Sequence, residues 1–341
     1  MARLNLVTGG AGFVGRHLVK LLAGRGERVR VLDLDRPGDA APDVEYLQGS
    51  ILDEAALDRA MQGAERVFHL AANPNLWHRR PETFLETNLR GTEMVLRAAS
   101  RHRPEKTVYC STESILKSYR WTKVPGKDGR IDERIELRVD DMPGPYCRSK
   151  FLAERAAMDA AASGQPVVIV NPTLPIGPGD LRLTPPSRML IGFLNGRIPA
   201  FLESEFNLID VRDVAEGHIL AAEKGRIGER YILGHRNLRL SELLALLQRL
   251  TGLPIPRMRV PYALAFAAAL VDEGLSRLTG RPPNAPITGV RLARTPMVFD
   301  CAKAIEELGL PQTPIETALT DFIRFHRQQG EIERPIPALG I

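Results

Sequence analysis

Short runs of Val, Ile and Leu alternate along the chain with longer stretches in which apolar residues recur every three or four positions, which is how βαβ units read in sequence. The runs at 4–8, 29–32, 67–70, 107–110 and 167–170 predict strands. Because they are apolar almost without interruption, they predict strands covered on both faces, as in a parallel sheet. Helical period at 14–23, 54–61, 84–99 and 146–161 predicts the helices that cross between them. Strand, crossover helix and parallel strand in this order imply right-handed connections and a doubly wound α/β sheet, whose ligands bind beyond the carboxyl ends of the strands.

After Asn171 the texture changes to a segment rich in Pro and Gly, 172–186, that leads away from the sheet. The runs 240–250 and 262–278 then predict helices of a second, smaller unit of mixed α/β character. The expected division is 1–172 with 205–235 for the large nucleotide-binding domain, and 173–204 with 236–330 for the substrate domain. The longest apolar run, 262–271, is too short to span a bilayer and ends at Asp272. It predicts an amphipathic helix packed on its own domain, with peripheral membrane contact as the alternative.

Charge and cysteine content narrow the picture only modestly. A formal charge of +5 over 341 residues, with Lys and Arg scattered rather than gathered among aromatics, argues against nucleic-acid binding. Cys110, Cys147 and Cys301 are far apart, without the spacing of a zinc site or the even count of a secreted disulfide framework, so no metal is expected. Strand-like Leu4-Asn5-Leu6-Val7 directly after the first residues argues against a signal peptide, and a reducing cytoplasm is the expected compartment.

Three features carry chemistry. The first is Gly9-x-x-Gly12-x-x-Gly15 between the first strand and first helix. A Cβ there would block the tight turn or hold the backbone away from a pyrophosphate seated on the helix N-terminus, so strand, glycines and helix in this order predict a Rossmann dinucleotide site. Asp33, after the second strand, is placed to hydrogen-bond the adenosine ribose, which favours NAD; Arg36 nearby keeps NADP as the alternative. The second feature is Tyr146 and Lys150, four residues apart on one helix face, where the ammonium is expected to lower the pKa of the phenol and make it a usable acid or base. The third is the strand ending in Ser111-Thr112, whose hydroxyls belong at the edge where a substrate oxygen would sit.

With these features, the chain resembles the extended short-chain dehydrogenase/reductase family of sugar-nucleotide epimerases, dehydratases and dihydroflavonol-reductase-like enzymes. Within it the likeness is closest to hopanoid-associated sugar epimerases. The likeness is carried by Phe68-His69-Leu70-Ala71-Ala72, Leu76-Trp77, Asn88-Leu89-Arg90-Gly91-Thr92, Ser149-Lys150-Phe151-Leu152-Ala153-Glu154, the run from Val170 to Pro178, and Asp213-Val214-Ala215-Glu216-Gly217-His218. The resemblance implies Tyr146 as catalytic acid/base, Lys150 on the nicotinamide ribose, and Thr112 as the substrate-orienting hydroxyl, with Ser111 as runner-up. It also implies Gly9, Gly12, Phe13, Val14, Gly15, Asp33, Ser50, Ile51, Leu70, Ala71, Ala72, Asn88, Pro172 and Thr173 around the cofactor. A homodimer built on helices 84–99 and 146–161 is implied as well.

Two positions depart from the family pattern: Ser50, where Asp is usual, and Asp210, where His or Tyr often precedes Asp-Val-Ala. His69 reads as a structural histidine at a strand end. Trp77 reads as a substrate stack or a loop anchor, and Arg182 and Arg188 as phosphate clamps or solvated surface. The activity expected first is an NAD-dependent sugar or sugar-nucleotide epimerase or oxidoreductase, with a hopanoid-pathway role implied by likeness alone. An NADPH-dependent dihydroflavonol-reductase-like ketone reductase and a non-catalytic cofactor-sensing scaffold are the alternatives.

Overall fold

The computed structural model describes residues 2–38, 41–121, 123–124 and 127–340. In chain order its elements are β1 (Leu4–Thr8), α1 (Phe13–Gly24), β2 (Arg28–Asp33), β3 (Val44–Gln48), α2 (Glu54–Met61), β4 (Arg66–His69), α3 (Glu82–Phe84), α4 (Gly91–His102), β5 (Lys106–Cys110), α5 (Pro145–Ala162) and β6 (Val167–Pro172). There follow β7 (Leu174–Ile176), α6 (Pro185–Leu194), β8 (Ala200–Phe201), β9 (Glu205–Asp210), α7 (Val211–Lys224), β10 (Arg230–Leu233), β11 (Arg236–Arg239), α8 (Leu240–Thr251), β12 (Met258–Arg259), α9 (Tyr262–Thr279), α10 (Ile287–Arg294) and α11 (Ile315–Gln328).

Seven parallel strands form the main sheet in the order β10-β6-β5-β4-β1-β2-β3. The order reverses between β1 and β4, and this switch point opens a crevice at the carboxyl edge. Both faces are covered, as the unbroken apolar runs require. Along β1, Val7 enters the layer holding Leu18, Leu22, Val214 and Ile219, while Leu6 enters the opposite layer with Leu57, Val67 and Val95. Leu18 and Leu22 are fully buried, each worth about 2 kcal/mol of transfer free energy.

The smaller unit centres on a three-stranded sheet, β11-β9-β7, with Leu190, Phe193, Leu243, Leu244, Phe322 and Ile323 in its core. Here the sequence-based division needs correcting. Residues 205–210, assigned to the large domain, form β9 and pair with β7 and β11, whereas α7 and β10 do return to the large sheet. The reason is local: Asp210 caps α7 by accepting from Arg212 N at 2.8 Å and holds the Arg212 side chain at 2.5 and 2.9 Å, so the chain turns from one sheet to the other at that residue. No helix among the described residues is long and apolar enough to cross a membrane.

Candidate active site

The loop from β1 to α1 is shaped for close backbone approach. Gly9 adopts φ +76°, and a Cβ on it would stand 2.6 Å from Ala71 N; on Gly15 one would stand 2.2 Å from Gly9 O. Gly12 donates its N–H to Gly9 O at 3.1 Å and precedes Phe13 and Val14 at the start of α1, where no side chain caps the first turn. The free amides and the helix dipole suit a pyrophosphate. Asp33 ends β2 and accepts from Ala11 N at 2.9 Å, which fixes its carboxylate beside the loop. An adjoining cleft of about 180 Å³ is lined by Phe13, Arg16, Asp35 and Arg36. Arg182 is held there too, paired with Asp35 at 2.6 Å.

The other expected cofactor residues divide into those that border this groove and those engaged elsewhere. Leu70 N donates to Thr8 O at 3.0 Å and Ala71 N to Thr8 Oγ1 at 3.4 Å, laying the segment that continues to Ala72 against Gly9. The Ser50 hydroxyl accepts from Leu52 N at 3.1 Å, and Ile51 is buried against Gly91. Pro172 ends β6, while the Thr173 hydroxyl donates to Asn207 at 2.9 Å. Asn88 is buried between two elements: it accepts from Asn73 N at 2.7 Å and donates to Ser149 Oγ at 2.9 Å, tying the loop after β4 to α5. Its side chain positions the site rather than facing the groove.

Thr112, Tyr146 and Lys150 converge where β5 ends beside the start of α5. Thr112 Oγ1 donates to Glu113 Oε2 at 2.9 Å, and its carbonyl is pinned by Asn171 Nδ2 at 3.2 Å. Asn171 also donates to the buried Glu154 at 2.7 Å, which Arg230 meets at 3.4 Å. Tyr146 lies edge-on to Phe84, with ring centroids 6.3 Å apart. Its phenol is held above the ordinary value by burial, then by Glu113 and Cys147, with Thr112 acting in the opposite sense. Lys150 Nζ donates to Cys110 O at 2.8 Å and rests over the Tyr109 ring at 4.7 Å. Burial brings Lys150 down to about 8. The expected lysine-lowered phenol is therefore not what this arrangement gives; the ammonium is aimed at the strand end. Ser111 is buried, and among the described residues its hydroxyl has no hydrogen-bond partner, which leaves a donor open at the same edge.

His69 takes the structural part. Thr92 Oγ1 gives its only proton to Asn88 O at 2.6 Å, so it accepts from His69 Nε2 at 3.0 Å, and Nδ1 accepts from Thr8 Oγ1 at 2.7 Å. Burial then keeps the ring neutral, down to about 3. Trp77 is half-buried in the loop after β4.

Glu113 and Lys117 escape a reading from spacing, because Glu and Lys four apart read as an exposed ion pair. Here both are buried, and Lys117 Nζ donates to Leu292 O at 2.5 Å and Thr295 O at 3.0 Å. Burial, opposed by Glu113, brings Lys117 down to about 7 and holds Glu113 above the usual carboxylate range. This pair sits directly behind Thr112.

Residues 5–234 match the profile of the NAD dependent epimerase/dehydratase family. The chain is 39% identical over 340 residues to a Synechocystis protein named "Putative dihydroflavonol 4-reductase", covering 98% of this chain and 97% of that one. It is 30% identical over 332 residues to sterol demethylase protein B of Methylococcus capsulatus, covering 96% of this chain and 99% of the relative. Among solved structures, that of gox2253 superposes with a TM-score of 0.82 at 34% identity, covering 96% of this chain and 99% of the other.

Proposed function

The chain belongs to the NAD-dependent epimerase/dehydratase family, and from that premise we propose that it interconverts a secondary alcohol and a ketone on a lipophilic, polycyclic substrate. It is an NAD-dependent enzyme of the extended short-chain dehydrogenase/reductase type. The observation that carries the proposal is the meeting of Tyr146, Thr112 and Lys150 at one strand edge, beside a glycine loop that only backbone and ligand can approach. The substrate class is supported by the names of the two relatives, a "Putative dihydroflavonol 4-reductase" and "Sterol demethylase protein B". It is also supported by half-buried Leu76 and Trp121, which pack with Tyr146 on one apolar cluster.

Gly9, Gly12 and Gly15 would admit the pyrophosphate at the start of α1, and Asp33 would take the ribose. When bound, NAD accepts or returns hydride at the carbon being oxidised or reduced. The chain's own work is proton movement and orientation. Tyr146 takes the hydroxyl proton during oxidation or gives one to the carbonyl oxygen during reduction. Raised by burial, the phenol is protonated at neutral pH, the form that gives a proton to a carbonyl oxygen. Thr112, engaged by Glu113 and Ser114, stands beside the phenol, and the Ser111 hydroxyl, which has no partner among the described residues, is the donor open to a substrate oxygen. Asn171 and Asn88 hold Thr112 and α5 at fixed separation.

The test is a substrate panel of cyclic ketones, 3-hydroxysterols and nucleotide sugars, read by nicotinamide absorbance. Turnover of ring ketones or alcohols with stoichiometric change in NADH supports the proposal. Turnover of nucleotide sugars with no net nicotinamide change overturns it in favour of an epimerase, the reading that the family's name favours. In Tyr146→Phe the rate should fall by about 10² to 10⁴ with NAD affinity unchanged.

A further inference from the structure

We propose that α9 is an interfacial anchor that seats this enzyme on an anionic bilayer surface. The helix is packed on one side only. Of its 18 residues, Ala269 and Ser276 alone are buried. Its inner face meets α10 through Tyr262 and Phe266, stacked at 5.9 Å, over which Arg294 and Arg291 lie at 5.2 and 5.8 Å.

The outer face is apolar in a continuous line. Leu264, Val271, Leu275 and Leu278 are spaced by seven, four and three residues, which puts them on one stripe of a helix, and they are 62, 64, 55 and 85% exposed. Met258, 61% exposed in β12, stands just before the helix. A stripe of this length left in water is unfavourable unless something covers it.

Charge decides what that is. The helix has two carboxylates and both are turned inward: Asp272 accepts from Ala285 N at 3.0 Å and Glu273 from Ile287 N at 3.1 Å, capping the approach to α10. The exposed ends of the stripe are cationic. Arg257 precedes it and Arg281 follows it, and neither has an ion pair among the described residues; Arg277, 75% exposed beside Leu278, is paired with Glu273 at 3.5 Å. A second copy of the same face, parallel or antiparallel, would bring arginine against arginine. An acidic lipid surface instead offers apolar depth for the leucines and negative charge for both ends.

The anchor also lies near the chemistry. On α10, Thr288 fills the space a Cβ on Gly144 would need, and Arg291 donates to Pro143 O at 3.1 Å, immediately before Tyr146. A bilayer under α9 would thus be one helix removed from the start of α5, consistent with a substrate drawn from the membrane. Only that last point rests on the proposed substrate class; the docking stands by itself.

The experiment is flotation of the full-length protein with phosphatidylcholine vesicles, with and without phosphatidylglycerol. Partition into the acidic vesicles, weaker on the neutral ones and falling with salt, is expected. Leu275→Ser and Leu278→Ser should each lower it about tenfold, and Arg281→Gln about fivefold, all with NAD affinity retained as the measure of an intact fold. Failure of the wild type to float, or equal flotation by the variants, overturns the proposal. So does a drop in mass by light scattering in the leucine variants without vesicle binding, which would assign the stripe to a second copy. Vesicle binding requires no turnover, so its failure is distinct from failure of the proposed reaction.

Discussion

Lys117 gives the sharpest test of the buried charge behind Thr112. It is 1% exposed and brought down to about 7, against an ordinary lysine value near 10.4 in the unfolded chain. Below pH 7 it carries its proton in both states, and the folded state bears the full cost of burying the charge. As pH rises through 7, the folded protein releases that proton while the unfolded chain keeps it. The unfolded state then binds more protons, so stability increases with pH. Between pH 6 and 8.5 this contribution integrates to about 2 kcal/mol. Lys150, brought down to about 8, adds a smaller rise of the same sign, roughly 1 kcal/mol by pH 8.5.

Lys117→Met removes the first contribution and leaves the second. The comparison is urea unfolding of both proteins across pH 6 to 8.5; the raised thiols of Cys110, Cys147 and Cys301, which oppose the trend near pH 8.5 through their ionisation in the unfolded chain, do so in both proteins and cancel. His69 and His218, both brought low by burial, act equally in the two proteins and cancel. Glu113, deprived of its cation, would move further up and enlarge the difference. At one pH the variant is expected to be less stable, since Leu292 O and Thr295 O lose their donor. Its gain across the window should nonetheless fall short of the wild type by about 2 kcal/mol, roughly 0.5 M in urea midpoint for a chain of this size. Parallel stability curves would refute the assignment of a titrating, buried Lys117.

Asp33→Ala should weaken NAD binding by about tenfold to a hundredfold, the range for losing charge-assisted hydrogen bonds, and narrow the gap to NADP; titration of both nucleotides by fluorescence checks it. Gly9→Ala should abolish NAD binding, because a Cβ would stand 2.6 Å from Ala71 N in a left-handed backbone, and calorimetry should find no heat of binding. Asn171→Ala should cost about 2 kcal/mol of stability by leaving buried Glu154 short of a donor, and should lower kcat more than it raises KM, because Thr112 loses its backbone anchor.

The large domain was legible because its signals are local. The strand 4–8 and helix 54–61 match β1 and α2 to the residue, the predicted helix 84–99 falls on a continuous helical run made of α3, a π-helical stretch 85–90 and α4, and the other early elements lie within two residues of their predicted limits. β3 was not read because Val44-Glu45-Tyr46-Leu47-Gln48 mixes exposed and half-buried positions, as an edge strand does. The short strands of the small sheet gave no periodic signal at all. The boundary at 205 went astray for a related reason: β9 is as apolar and buried as a strand of the main sheet, and nothing within it records which sheet it joins.

The site was legible in its residue types and not in its charges. Spacing puts Tyr146 and Lys150 on one face, but whether an ammonium reaches a phenol depends on what else it can reach. Here the Cys110 carbonyl and the Tyr109 ring, brought in by β5 from some forty residues away, hold it. The same holds for Glu113 and Lys117, whose burial is made by Leu292 and Thr295 from the far end of the chain. For α9 the difficulty runs the other way. Its sequence shows an apolar stripe in any setting, and only the packing decides whether that stripe is core or surface. With Asp272 and Glu273 drawn inward to cap α10, the leucines are left outside, so the carboxylates that would have kept this face in water are the ones that commit it to a partner.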